Sequence, residues 1–390
     1  MNSNQWKNYK LDEIAEIIGG GTPSTTIPDF WGEEIPWVTP RDLASTDERF
    51  ISRGERCITK KGLQNSSARL LPAGTVLLTT RAPIGYLRIA LNPICTNQGF
   101  KSLIPKTDIA DNQFLFYLLK NNVEYLKSIG VGTTFAEISG SALRQIEFPI
   151  PPLSIQNRIA DILSALDDKI ELNRQTNATM EAIAQAIFKE WFVENEKAYE
   201  WDFAPLPEVI EINPPRSLKV NQIAPYLDMA SMPTTGHRVN GWVNRPFGSG
   251  TKFINGDTLI AKITPCLENG KTAYVDFLDN GQIGWGSTEY IIFRPRPPIP
   301  PEYGYFLARS DEIRNYAIQN MIGTSGRQRV PVTCFNFLSI RIPPTDLVFQ
   351  FGIIAESLMK QIRANSEESK TLAFIRDALL PKLISGEIDL

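Results

Sequence analysis

The stretch "IEFPIPPLSIQNRI" (residues 146–159) sets two adjacent prolines directly before a run with helical spacing, and "IRIPPTDLVFQFGI" (residues 340–353) repeats the arrangement near the C-terminus. Proline fixes φ and lacks an N–H, so such a pair ends one element and is tolerated only ahead of the first turn of the next. Two breaks of this kind predict a chain built twice from one plan, a lobe followed by a helix.

The rest of the sequence bears on that expectation. "GTVLLTTRAP" (74–83) aligns with "GDTLIAKITP" (256–265) at an offset of 182 through Gly74, Leu77 and Pro83 against Gly256, Leu259 and Pro265. Tyr117 and Leu119 meet Tyr305 and Leu307 at 188, Gly132 meets Gly323 at 191, and Pro151–Pro152 meets Pro343–Pro344 at 192. The matches keep their order while the offset grows, as insertions into the loops of a duplicated unit would require.

After the first break, Ser154 is a plausible N-cap. Ile159, Leu163, Leu166, Ile170, Asn173, Asn177, Met180, Ala184, Ile187 and Trp191 recur at alternating steps of four and three, a heptad seam. A helix of about 38 residues would reach roughly 57 Å. In the second copy Ile354, Leu358, Gln361, Asn365, Glu368, Leu372, Ile375 and Leu379 keep those steps, with Ile362 competing for the seam. Gly352 should weaken that helix's start, and Pro381 should end or kink it. A seam of this length needs a partner, and antiparallel pairing of the two helices supplies one, with the lobes at opposite ends. Asn173 and Asn365, which correspond at an offset of 192, would then lie in the seam and fix its register.

Composition sets the outer bounds. The 390 residues are 42% hydrophobic and 10% aromatic, enough for several packed cores, and neither a secretory leader nor a membrane-length apolar run is read, so a soluble cytoplasmic protein is expected. Four dispersed cysteines point to reduced, partly buried thiols. The net charge of −3 hides an uneven distribution. Residues 1–150 carry 16 basic against 15 acidic groups, whereas 151–199 carry 5 against 8 and 346–390 carry 5 against 7. The segment 49–69 holds six basic residues and one Glu, and its Arg53, Arg56, Lys60 and Lys61 are candidate phosphate contacts.

Within each lobe, short β-rich runs such as "TVLLTT", "YLRIAL", "DTLIAK" and "YIIFRP" lead to one helical stretch, "DNQFLFYLLKNNVEYLKSI" or "PEYGYFLARSDEIRNYAIQNM". The expected class is α+β, mainly antiparallel. Catalytic signatures are weak. His237 is the single histidine, so a histidine-rich metal site or a His-based triad has little to draw on. "GGGTPST" (19–25) lacks the Gly-Lys-Ser/Thr of a phosphate-binding loop. "INPPR" (212–216) resembles the Asn-Pro-Pro-aromatic motif of adenine methyltransferases, but Arg216 stands in the aromatic's place and no cofactor-binding turn precedes it.

The loops "GGGTPST…FWGEEIPWVTPRDL", "LLTTRAPIG" and "TNQGF", the "PIPPL" break with its long helix, the mid-chain "AIFKEWFV" and the ending "LLPKLISGEIDL" together resemble the specificity subunit of type I restriction–modification systems. The resemblance spans essentially the whole chain. Lobe two departs from it, with "IAKITPCLENG" for "LLTTRAPIG" and "GSTEY" for "TNQGF", as lobes reading different sequences should. It implies two target recognition domains, at 1–150 and 196–344, with helical spacers at 151–195 and 345–390. It also implies double-stranded DNA as ligand and a bipartite target with an unread gap. The chain itself would be non-catalytic. Two methyltransferase subunits using S-adenosylmethionine, and nuclease/translocase subunits consuming ATP with Mg, would be its partners. The alternative is a coiled-coil scaffold whose two lobes bind something other than DNA.

By their place in family-like loops, the candidate DNA contacts in lobe one are Thr22, Arg41, Thr80, Arg81, Asn97, Gln98, Thr133 and Thr134. In lobe two they are Lys262, Thr264, Ser287, Thr288, Ser325, Arg327, Gln328 and Arg329. Arg and Gln pair bidentately with guanine and adenine edges, and Thr, Ser and Asn add single donors and acceptors. Trp191 and Phe192 are candidates for docking a partner subunit.

Overall fold

A computed structural model describes residues 6–44, 48–132, 136–324 and 326–390. By compactness the chain divides inside both long helices, into Met1–Leu172 with Glu368–Leu390 and a second unit Asn173–Glu367. Among the described residues no helix is long and apolar enough to cross a membrane.

In the first unit β1 (Ala15–Gly19), β2 (Phe50–Ile51), β3 (Val76–Thr80), β4 (Ile84–Ala90) and β5 (Phe100–Pro105) form one sheet in the order β1-β5-β3-β4-β2. All its pairings are antiparallel except β2 with β4. Helix α1 (Asn112–Asn121) covers one face. The Asp111 carboxylate caps it by accepting from the Phe114 N–H, and Phe114, Leu115, Leu118 and Leu119 are buried. Each such side chain contributes about 1.5–3 kcal/mol on burial. A second, four-stranded sheet contains Ile35–Val38 and Cys95–Thr96, and Lys7–Lys10 pairs with Glu147–Ile150 to close the lobe at its ends.

The long helix α2 (Leu153–Phe188) starts in this unit and ends in the next. Ser154 does not cap it. Helix geometry begins one residue earlier, and the Pro152 carbonyl accepts from the Ile155 and Gln156 N–H groups. The polar group that secures the start is Gln156, fully buried, which accepts from the Asp111 N–H and donates to the Ile109 and Pro151 carbonyls.

The second unit repeats the plan. Strands β6 (Ile210–Ile212), β7 (Thr258–Ala261), β8 (Thr272–Tyr274) and β9 (Tyr290–Pro295) lie in the order β6-β9-β7-β8, the counterpart of β1-β5-β3-β4, again antiparallel. Helix α3 (Pro301–Arg309) packs on this sheet, and Phe203–Pro205 pairs with Ser339–Arg341. Each predicted lobe helix is broken in two: Val123–Ser128 follows α1 and Asp311–Gln319 follows α3, with the Ser310 side chain capping the latter.

Helix α4 (Thr345–Ile384) runs antiparallel to α2 within each unit. In the first unit Asp167 meets Arg376 at 2.6 Å and Lys169 meets Glu368 at 3.2 Å. In the second, Asn173 and Asn177 donate to the carbonyls of Asn365 and Ile362. Every expected seam position of α2 is buried or half-buried. The α4 seam needs correction. Gln361, Glu368 and Ile375 are exposed, and the inward face is Phe351, Ala355, Met359, Ile362, Asn365, Leu380 and Leu383. Ile362 takes the place of Gln361 because burying the amide would have gained no apolar transfer energy. Pro381 does not end the helix, which continues to Ile384. Gly352 is buried, and a Cβ there would lie 2.4 Å from Pro300 Cγ, so its role is close approach to the lobe.

Candidate nucleic-acid interface

Three loops meet at one edge of each lobe, and the backbone hydrogen bonds of their described residues correspond between the two lobes. In lobe one the Thr80 N–H donates to the Gly99 carbonyl, and the Ile138 N–H to the Thr80 carbonyl. In lobe two Lys262 to Glu289 and Val330 to Lys262 repeat those bonds, at 2.8–3.0 Å throughout. Glu137 bridges both Arg81 and Val131, and Arg329 bridges both Ile263 and Ile322. The intervening turns also match. The Gly99 N–H donates to Asn97 Oδ1 at 2.9 Å, and the Glu289 N–H to Ser287 Oγ at 3.1 Å. Equivalent backbone thus presents Gln98 in one lobe and Thr288 in the other, both exposed.

A fourth loop explains the glycines at 20 and 21. A Cβ on Gly20 would lie 2.0 Å from the Asn97 carbonyl oxygen, and one on Gly21 2.3 Å from Ser67 Oγ. Only glycine lets this loop lie against the 96–99 turn, where the Gly21 N–H donates to the Thr96 carbonyl and the Thr22 hydroxyl to the Gln98 side chain.

Charge is wired differently in the two constellations. Arg81 lies 3.7 Å from Glu137 in lobe one, whereas Arg329, in the position of Glu137, pairs with Glu289 at 2.9 Å. Arg327 is exposed beside it, and Gln328 is half-buried with its N–H bonded to Thr264 Oγ1.

Not every candidate faces outward. Thr80 is fully buried with its hydroxyl toward the Gly99 carbonyl, so its side chain cannot reach a base. The Thr264 hydroxyl is engaged with the backbone of Gln328, and Asn97 and Ser287 shape their turns. Arg41 is exposed at the start of a short helix, and Lys262 is half-buried at the end of β7. Thr133, Thr134 and Ser325 lie outside the described residues. The basic run is matched by acids from 29–34: Arg53 pairs with Glu33, Lys61 with Asp29, and the Lys60 N–H with Glu34, while Arg56 stacks on Trp31 at 3.4 Å. These pairs are exposed and worth little in water, so a phosphate can compete for the cations. Phe192 is a core residue of the second unit, packed on Phe188, Tyr303 and Phe351, and half-buried Trp191 lies against it. Docking through the Phe192 ring is thereby corrected to core packing.

The methyltransferase-like "INPPR" segment also has a structural explanation. Asn213 Oδ1 accepts from the Ile292 N–H, and Arg216 reaches inward to fully buried Asp257, which Arg294 contacts at 2.5 Å.

A family model described as the type I restriction modification DNA specificity domain matches residues 3–182. The type I restriction enzyme MjaIX specificity subunit of Methanocaldococcus jannaschii is 33% identical over 411 residues, covering 98% of this chain and 93% of that relative. The chain belongs to the specificity subunits of type I restriction enzymes. The HindI specificity subunit of Haemophilus influenzae is 24% identical over 466 residues, covering 98% of this chain and 99% of its own length. The crystal structure of a type I restriction–modification S subunit from M. genitalium shares the fold, with a TM-score of 0.63 at 18% identity and coverage of 98% and 97%.

Sequence reasoning missed the polar groups that seat each lobe of this specificity subunit on α2. Tyr117 donates to Asp167 at 2.6 Å, and Tyr305 donates to Glu181 at 2.6 Å. Burial favours the neutral acid of Glu181, but His237 and the Tyr305 hydroxyl outweigh it and hold the carboxyl below its ordinary range. For Asp167 burial is likewise outweighed, by Lys120, Tyr117 and Arg376. The matched tyrosines at an offset of 188 were the available signal, yet they carried no information about their acceptors.

Proposed function

We propose that this chain is the non-catalytic DNA-reading subunit of a type I restriction–modification complex, with residues 1–150 and 196–344 each reading one part of a bipartite, gapped target. The observation that carries the proposal is the repeated loop backbone bearing different side chains. The same bonds recur at 80, 99 and 138 and at 262, 289 and 330, while Gln98 becomes Thr288 and Glu137 becomes Arg329. Such a pair suits one docking mode used on two base sequences, with Arg81, Gln98, Arg327 and Arg329 at base edges and Arg53, Arg56, Lys60 and Lys61 at phosphates. Residues 151–195 and 345–390 act as spacers. Adenine methylation with S-adenosylmethionine, and any ATP- and Mg-dependent translocation and cleavage, belong to two methyltransferase subunits and the nuclease subunits that accompany them. The scaffold alternative gains no support from the loop geometry or the relatives.

The test is the methylation map of host DNA after co-expression with the neighbouring methyltransferase subunit, beside a chain whose residues 1–150 come from another family member. A gapped two-part motif in which one half changes on exchange is the expected result. An ungapped motif, or methylation indifferent to this chain, refutes the proposal.

A further inference from the structure

Glu181 of α2 is buried, yet no catalytic or nucleic-acid role requires a carboxylate there. It accepts from the Tyr305 hydroxyl of α3 and lies 2.9 Å from Nδ1 of buried His237, both in lobe two. The next residue, Arg238, reaches Glu367 of α4 at 2.6 Å and Asp276 of its own lobe at 2.8 Å. The first unit has its own version. Tyr117, the counterpart of Tyr305, donates to Asp167 of α2, which also meets Arg376 of α4, while Arg49 donates to the Tyr117 oxygen at 3.0 Å and pairs with Asp168 at 2.6 Å.

Packing alone does not call for these groups. Tyr117 and Tyr305 are fully buried among apolar and aromatic neighbours, and phenylalanine would fill nearly the same volume. An apolar contact between lobe and helix would often be as stable as a buried charge with its hydrogen bonds. What a directional bond adds is one preferred orientation, because a fixed hydroxyl meets a fixed carboxylate in a single geometry.

We infer that Glu181 and Asp167 are positioning residues, each holding its own lobe at one orientation on α2 so that the loops of that lobe meet their half of the target in register. The inference rests on the reading of the lobes as two DNA readers. Neither carboxylate touches DNA in this scheme; each acts through its tyrosine, with His237 the additional donor in lobe two.

The test uses the full chain co-expressed with its methyltransferase subunit. Methylation is scored at cognate targets and at targets with one substituted base in either half, the halves being assigned by exchange of residues 1–150. Tyr305→Phe, which keeps the ring and removes only the hydroxyl, and Glu181→Gln should raise methylation of targets miswritten in lobe two's half by roughly five- to tenfold relative to cognate. Discrimination in the other half should stay unchanged. Tyr117→Phe and Asp167→Asn should do the reverse. A proportional fall at every target, or unchanged discrimination in both halves, overturns the inference, since a purely structural role reduces working complex without favouring one half. If the unaltered chain directs no two-part motif, the two-reader reading fails, and the inference with it.

Discussion

Asn173 Nδ2 donates to the Asn365 carbonyl oxygen at 3.2 Å, and these two residues occupy the same place, 192 positions apart, in the two copies of the helix. Corresponding residues of an antiparallel pair meet one another only where the two copies cross in register. The asparagines therefore mark the register of α2 against α4. Around them Asn365 Nδ2 donates to Asn177 Oδ1 and Gln361 Nε2 to Asn365 Oδ1, both at 2.9 Å.

Removing one member should strand its partners. Asn365→Ala is expected to lower stability by about 1–3 kcal/mol, the penalty of unmet buried polar groups. The double change Asn177→Leu with Asn365→Leu, which removes both ends of their side-chain hydrogen bond, should recover much of that loss while loosening register. Urea unfolding midpoints measure the first effect, and cysteine cross-linking across the seam in alternative registers measures the second.

Acid should weaken the attachment of both lobes to α2. Asp167 and Glu181 are held below their ordinary values of 3.8 and 4.5, so the stability they contribute is present above those values and is lost as pH falls through the lowered folded values. Tyr117→Phe and Tyr305→Phe should reduce this loss. Melting temperatures between pH 2 and pH 7 should therefore fall less steeply on acidification in the variants than in the unaltered chain.

Gly20→Ala should displace the 96–99 turn, because its new methyl would meet the Asn97 carbonyl oxygen at 2.0 Å and the Thr96 carbonyl oxygen at 2.5 Å. Overpacking of this kind costs about 1–3 kcal/mol. The local sign is loss of protection of the Gly21 amide in hydrogen exchange, since its acceptor is the Thr96 carbonyl. Unchanged protection would mean that the glycine is dispensable there.

Base reading and phosphate grip should separate. Arg327→Ala is expected to relax discrimination at one target base by roughly 1–3 kcal/mol, whereas Lys61→Ala should weaken binding on all sequences and reduce the salt slope by about one. Fluorescence titrations on cognate and singly substituted duplexes at several salt concentrations distinguish them. Equal losses on every duplex for Arg327→Ala would count against base reading.

Thr264→Val should free the Gln328 amide, which donates to the Thr264 hydroxyl at 3.0 Å, and so loosen the loop that carries Arg327 and Arg329. Thr80→Val, at the end of β3 in lobe one, should leave target discrimination unchanged because that hydroxyl is buried against the Gly99 carbonyl. Amide exchange at Gln328 and methylation of substituted targets test the pair.

Length, duplication, the breaks at Pro151–Pro152 and Pro343–Pro344, the α2 seam and the family-like loops were all legible in the sequence, because each is carried by spacing along one stretch of chain. Two things were decided only by the tertiary structure. One was the inward face of α4: Gln361 and Ile362 differ by about 100° around a helix, and only packing by Phe351, Ala355 and Met359 against lobe two selected Ile362. The other was which loop residues face out and which polar groups lock inward. Strand β3 is buried on both faces, so alternation could not reveal that Thr80 points inside. The acceptor of Tyr117 lies 50 residues away and that of Tyr305 lies 124 away. Periodicity is a property of a segment, but a hydrogen bond between distant segments exists only once the chain has folded around it.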